Sequence, residues 1–321
     1  MLPLYPDIKP YARHTVKVDD VHELYIDESG TPDGIPVLFV HAGPGSGCEF
    51  DSRSFFSPEK YRIILFDQRG CGRSTPHGLT ENNTTADLLN DMEQIREFLE
   101  IDQWILFGGG WGSTLSLVYA QAHPSRTLGL ILRGVFLGRK QDIDWLYQDG
   151  ASRFYPDHWE DFTGPVAIEN RDNLVKAYYD LLNGPNELAR MGAAKSWSSW
   201  EAQCSTLHPN QRLIKHFSNP HRALARCKVG THYFLNDCFL EPDQVLKNAS
   251  ALKEMPGIIV HGRFDVLCPM ENAMSLHEAW PSSQLYIVRE AGHSATEPAI
   301  IDALIRATRN MALRFENDFG V

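Results

Sequence analysis

Trp104-Ile105-Leu106-Phe107-Gly108-Gly109-Gly110-Trp111-Gly112-Ser113-Thr114-Leu115 reads as a short apolar strand that runs through a glycine-rich turn into a helix. A strand, a sharp turn and a helix with glycine two residues before and two after the centre form the setting of the Gly-x-Ser-x-Gly elbow, whose turn lifts a serine Oγ above the sheet. Gly108 and Gly112 supply the flanking glycines, but position 110 holds glycine where the serine belongs. The stretch predicts the frame of an acyl-transfer site without its nucleophile.

Working outward, short β-rich apolar runs alternate with helical patterns. Val37-Leu38-Phe39-Val40 ends in a Gly/Pro turn, and Ile63-Ile64-Leu65-Phe66 ends in Asp67-Gln68-Arg69-Gly70. Leu88, Leu89, Met92, Ile95, Phe98 and Leu99 recur at helical spacing behind the capping-type residues Thr84 and Thr85. Further strands are expected at 128–132, 258–260 and 285–288, and a helix near 298–315. Strands alternating with helices imply an α/β fold, a mostly parallel sheet with helices on both faces. From about 138 to 240 the chain is rich in Trp, Tyr and charge, with helical spacing and no clear strand. That segment reads as an inserted helical cap, leaving 1–137 and 241–321 as the core.

Composition narrows the functions. The 321 residues are 43% hydrophobic and 22% charged, enough to bury a sizeable core, and carry a net charge of -11. That balance disfavours nucleic acid and anionic membranes as partners. No apolar run approaches the roughly 20 residues that span a bilayer. The six cysteines lack CxxC spacing and read as free thiols of a cytoplasmic protein, with no metal site and no cofactor expected.

In such a sheet the functional residues sit at the carboxyl ends of the strands. Three strand ends carry the parts of an acyl-transfer site: the elbow at Gly110, then His261-Gly262-Arg263-Phe264-Asp265, then Arg289-Glu290-Ala291-Gly292-His293. The chain order nucleophile, acid, base has Asp265 holding His293 in one tautomer. An oxyanion hole needs two backbone N–H groups; Trp111 and Gly43, in the turn His41-Ala42-Gly43-Pro44-Gly45, are the candidates. Ser113 is assigned to the first helical turn rather than to catalysis, His41 to structure, and Cys268 to the pocket wall.

Together these motifs resemble the prolyl aminopeptidases (proline iminopeptidases), α/β-hydrolases that release N-terminal proline. The resemblance also rests on Asp67-Gln68-Arg69-Gly70-Cys71-Gly72-Arg73-Ser74, Asn83-Thr84-Thr85, Leu132-Arg133-Gly134, Tyr147-Gln148-Asp149-Gly150-Ala151, Trp200-Glu201 and His232-Tyr233-Phe234, and it spans nearly the whole chain. It implies that Glu201 binds the substrate ammonium, that Arg133 orients the carboxylates and that Phe136 packs on the pyrrolidine ring. The departures fall on the same machinery. Besides Gly110, the family pattern has Gly at Ala42, Trp at Ala86, an aromatic at Leu146, Arg at Lys228 and a second ammonium-binding Glu at Gly230.

Most of these changes delete side-chain volume, and their grouping reads as an engineered widening of the pocket. The expected function is a prolyl aminopeptidase scaffold, acting on a peptide or small molecule, whose native activity is lost with its serine. Two alternatives stand beside it. One is a redesigned catalyst that uses the His293–Asp265 dyad, or a Schiff base on Lys228 if that residue is more than a surface lysine. The other is a non-catalytic binding or substrate-trapping form.

Overall fold

The computed structural model describes residues 1–321, the side chain of residue 221 excepted. Eight strands form one sheet: β1 (Ala12–Lys17), β2 (Glu23–Gly30), β3 (Ile35–Val40), β4 (Tyr61–Phe66), β5 (Trp104–Gly110), β6 (Thr127–Val135), β7 (Gly257–Gly262) and β8 (Ser283–Val288). Their spatial order is β1-β2-β4-β3-β5-β6-β7-β8. β1 pairs with β2 and β2 with β4 in antiparallel fashion, and every other pair is parallel. The architecture is the α/β-hydrolase fold that the elbow sequence predicts.

Both faces of the sheet are buried, which explains the continuous apolar runs of its inner strands. Alternate residues serve opposite layers. Val37, Ile63, Leu65, Ile105 and Phe107 join one cluster, closed by residues of the C-terminal helix, whereas Leu38, Val40, Ile64, Phe66 and Leu106 join the other. Helices α1 (Thr85–Phe98) and α2 (Trp111–Ala122) flank the first half of the sheet. Thr84 caps α1, its hydroxyl accepting from the Asp87 N–H while the Asp87 carboxylate accepts from the Thr84 N–H at 2.9 Å.

Between β6 and β7 the chain is helical: α3 (Lys140–Tyr147), α4 (Pro156–Thr163), α5 (Leu174–Asn183), α6 (Glu187–Cys204), α7 (Gln211–Phe217), α8 (Pro220–Leu235) and α9 (Gln244–Lys247), with short 3-10 turns. α10 (Met270–Ala279) and α11 (Pro298–Phe319) complete the order. No helix among the described residues is long and apolar enough to cross a membrane.

The sharp step from β5 to α2 decides where the chemistry sits. A Cβ on Gly108 would lie 2.2 Å from the Gly112 carbonyl oxygen, and one on Gly112 would lie 2.0 Å from that of Val40. Only hydrogen fits at either place, so the two glycines let helix, turn and neighbouring strand close on one another. Gly110, between them, takes φ 55 and ψ -122, a conformation that side-chain-bearing residues rarely adopt.

Candidate active site

Four chain exits converge over the carboxyl ends of β3, β5, β7 and β8. A Cβ built on Gly110 would stand 3.5 Å from His293 Nε2, 3.7 Å from its Cε1 and 3.8 Å from the Ala42 methyl. These are ordinary contacts. The space over Gly110 is therefore a slot that admits a side chain between His293 and Ala42.

His293 Nδ1 and Asp265 Oδ2 are 2.8 Å apart, with Asp265 buried and His293 nearly so. The other carboxylate oxygen of Asp265 accepts from the Cys268 N–H at 2.8 Å. Burial opposes the charge on Asp265, but His293, His261 and the Cys268 amide outweigh it and hold the carboxyl below its ordinary value of 3.8. The arrangement fixes Nδ1–H toward Asp265 and leaves Nε2 facing the slot, the protonation that lets an imidazole accept a proton.

The turn that carries Ala42 and Gly43 is braced by its neighbours. His41 Nε2 accepts from the Gln68 N–H at 3.0 Å, and its Nδ1 lies 2.8 Å from the Ala42 carbonyl oxygen. Gln68 in turn accepts from Trp111 Nε1 at 2.9 Å. Burial lowers the pKa of His41 from its ordinary 6.5, and burial does the same to His261, which accepts from the Val135 N–H and donates to the Cys268 carbonyl. Both are neutral framework groups that tie separate turns together. The N–H of Trp111 opens α2 and so has no acceptor in its own helix. Gly43 follows Ala42 in the turn beside the slot.

Ser113 donates to the Gly110 carbonyl at 2.6 Å and accepts from the Phe136 N–H at 3.1 Å. Its hydroxyl is committed to the turn, as the sequence reading holds. Asp265, Cys268 and His293 offer three ligand atoms within 4.8 Å of one another and could hold a metal ion. Their own bonds compete with that use, and burial pushes the Cys268 thiol well above its ordinary value, which keeps it protonated.

Arg133 departs from expectation. Its guanidinium donates to the His293 carbonyl and packs where a Gly109 side chain would be. It bonds no carboxylate among the described residues. Successive residues of a strand face opposite sides: Gly134 faces the His293 ring, and Arg133 turns away to brace the His293 backbone. Ala86 also lies apart, exposed on the first turn of α1, so it is no part of the buried group.

Glu201 sits on α6, buried in an aromatic nest. Tyr147 Oη and Trp197 Nε1 donate to its Oε1 at 2.5 and 2.7 Å, and Arg226 Nη2 donates to its Oε2. Tyr147 stacks on Trp197 at 4.2 Å and leans on Phe234 at 5.2 Å; Phe234 meets Phe136 edge-on at 6.1 Å. This aromatic wall carries Phe136 and Glu201 together. The backbone joins Glu201 to the dyad as well, because the Ser205 carbonyl, just past the end of α6, accepts from the His293 N–H at 3.0 Å. Leu146 is buried beside this wall, its carbonyl accepting from Trp200 Nε1. Gly230, on α8, has room for a Cβ 3.4 Å from the Pro44 carbonyl oxygen and 3.9 Å from Phe234. Lys228 is half-buried and its ammonium bonds no described side chain. Sequence reasoning missed Arg226, an ordinary arginine on a helix until α6 and α8 are packed together.

Comparison with known proteins agrees with this geometry. The alpha/beta hydrolase fold family matches residues 35–298. The chain is 48% identical over 309 residues to the proline iminopeptidase of Xylella fastidiosa strain Temecula1, covering 96% of this chain and 99% of that protein. It is 47% identical over 313 residues to that of Xanthomonas citri, covering 97% and 100%. Among solved structures, the bromoperoxidase from Bacillus anthracis superposes with a TM-score of 0.64 at 18% identity, covering 94% of this chain and 99% of that one, a likeness of fold alone.

Proposed function

Because this chain belongs to the proline iminopeptidase family of α/β-hydrolases, we propose that it is a prolyl aminopeptidase scaffold that has lost peptide cleavage and keeps a working general base. The observation that carries the reading is the pairing of an intact His293–Asp265 dyad, 2.8 Å apart, with a glycine in the nucleophile slot. In a prolyl aminopeptidase acting by the acyl-enzyme route, residue 110 would attack the carbonyl carbon of the N-terminal proline. His293 would take its proton and return it to the leaving amine, while the Gly43 and Trp111 N–H groups hold the oxyanion. Here the first of these steps has no nucleophile.

What remains is a base, with the Gly43 and Trp111 N–H groups as its oxyanion donors. In this reading His293 Nε2 draws a proton from a water held over Gly110 as that water attacks an activated acyl group. That favours activated esters over amides, whose poor leaving group must be protonated as the C–N bond breaks. The helical segment 138–240 serves as the cap that closes over the strand ends and supplies Glu201. The half-buried Lys228 supports the Schiff-base alternative less well, since nothing in its surroundings separates it from an ordinary lysine.

The test is hydrolysis of a proline arylamide with and without Gly110→Ser. Removing a triad member leaves roughly 10³–10⁴-fold acceleration over water, so the chain as it stands is expected to show no turnover above background. Gly110→Ser should restore measurable but poor cleavage and react with an active-site phosphonylating reagent. Turnover on the order of 1 s⁻¹, ordinary for an enzyme, in the chain without the substitution would overturn the reading.

A further inference from the structure

The amine end of the pocket departs from its expected chemistry more than the dyad does. Residues 226 and 230 lie four apart on α8 and share a face one turn apart. At 230 there is no side chain; at 226 there is an arginine whose Nη2 sits on Glu201 Oε2. The other oxygen of Glu201 already receives the Tyr147 phenol and the Trp197 indole. Burial and the adjoining carboxylate push the Tyr147 pKa well up, so the phenol stays a donor. Both carboxylate oxygens are thus engaged from within the protein.

The charge follows directly. One carboxylate and one guanidinium sum to zero, where two glutamates would present two negative charges. An ammonium entering here meets an anion already paired and a cation beside it, and burying a second cation without its own counter-charge is costly. Arg226 does not swing away freely either: its guanidinium lies 4.3 Å over the Phe217 ring, and its side chain is only 14% exposed. Its Nη1 is buried and bonds no described residue, a donor that lacks an acceptor.

The geometry points to a subsite reassigned from a cationic amine to an uncharged acyl group. Arg226 takes the place of the ammonium on Glu201 and offers Nη1 to a carbonyl oxygen of the ligand. This rests on reading Glu201 as the amine-binding carboxylate, and it makes Arg226 the residue that sets specificity. The ligand class it selects is N-acylated or amine-free acyl compounds.

Ligand-observed NMR titrations of the full chain with L-prolinamide and with N-acetyl-L-prolinamide at neutral pH test this. The unmodified chain should bind the acetylated compound the more tightly, by about tenfold or 1.4 kcal/mol. Arg226→Ala frees Glu201 and should reverse the order, and adding Glu201→Gln should abolish the reversal. Gly230→Glu, with Arg226 left in place, should raise prolinamide affinity by restoring net negative charge, and so checks the charge argument even if Arg226→Ala does not fold. If the unmodified chain binds prolinamide tightly and loses it on Glu201→Gln, Glu201 is the amine site and the Arg226 lock is wrong. If no variant binds prolinamide in a Glu201-dependent way, the role of Glu201 falls and the lock with it.

Discussion

The strand ends and the helical side of this site contrast in how each is built. At the strand ends position 110 carries no side chain, and the turn and the His293–Asp265 pair stand around it. On the helical side the backbone leaves room for a side chain at Gly230, and Arg226 has filled the charge requirement of Glu201 from one turn away. Backbone-built features depend on packing of the whole core and resist change. Features made by one or two side chains can be rewritten without disturbing the fold.

The largest effect should come from the preserved region. His293→Ala in the unmodified chain should cut hydrolysis of an activated aryl ester by about 10²–10⁴-fold, the range of a general base. If Lys228→Ala abolishes the ester rate while His293→Ala spares it, the preserved region is inert and the contrast inverts.

In the rewritten region, Gly230→Glu placed on Gly110→Ser should lower KM for a proline arylamide by about tenfold with little change in kcat, the signature of ground-state binding. A change confined to kcat would show that position 230 reports on the dyad rather than on the amine. Adding Ala42→Gly to Gly110→Ser tests the preserved region from its other side. The Ala42 methyl lies 3.8 Å from where a Cβ at 110 would stand, so its removal should widen the rotamer choice of the new hydroxyl and raise kcat a few-fold.

Stability should also follow the framework. His41 and His261 have pKa values depressed by burial below the ordinary 6.5, so the unfolded chain takes up the protons that the folded chain refuses. Their contribution is present above pH 6.5 and lost as pH falls below it. Chemical denaturation at stepped pH should show that loss, and His41→Gln should flatten it; an unchanged slope would remove His41 from the framework.

The smallest effect concerns Gly110 itself. Its φ of 55 and ψ of -122 suit glycine, and serine there costs on the order of 1 kcal/mol. The entropy of glycine in the unfolded chain returns about 0.4–1 kcal/mol. Gly110→Ser should therefore melt lower by at most about 1 °C, and a higher midpoint would place the strain elsewhere.

Most of the preserved region was legible in the sequence, because it is written in local patterns. The apolar runs at 37–40, 63–66 and 104–107, the Thr84 cap and the strand-end motifs each occupy a few adjacent residues. β1 and β2 were not read: β1 alternates half-buried and exposed residues on the sheet edge, so it lacks the apolar run that marks its inner neighbours. The rewritten region was half legible. The missing glutamate at 230 shows by resemblance, but the Arg226–Glu201 pair joins residues 25 positions apart on two helices, and no local pattern announces it. Arg133 was misread because its neighbours in sequence suggest a pocket residue, whereas strand alternation turns it beneath the dyad.

Gly108 and Gly112 clamp the turn whatever residue lies between them. Holding the turn and supplying the nucleophile are thus separate duties of separate residues. In genetic terms the nucleophile is a detachable part, and glycine and serine codons can differ by a single base. Where the codon at 110 is one of those, a single base change would place the hydroxyl in a backbone already shaped to receive it. The pairing of Arg226 with Glu201, which joins two helices, would not be undone by that change.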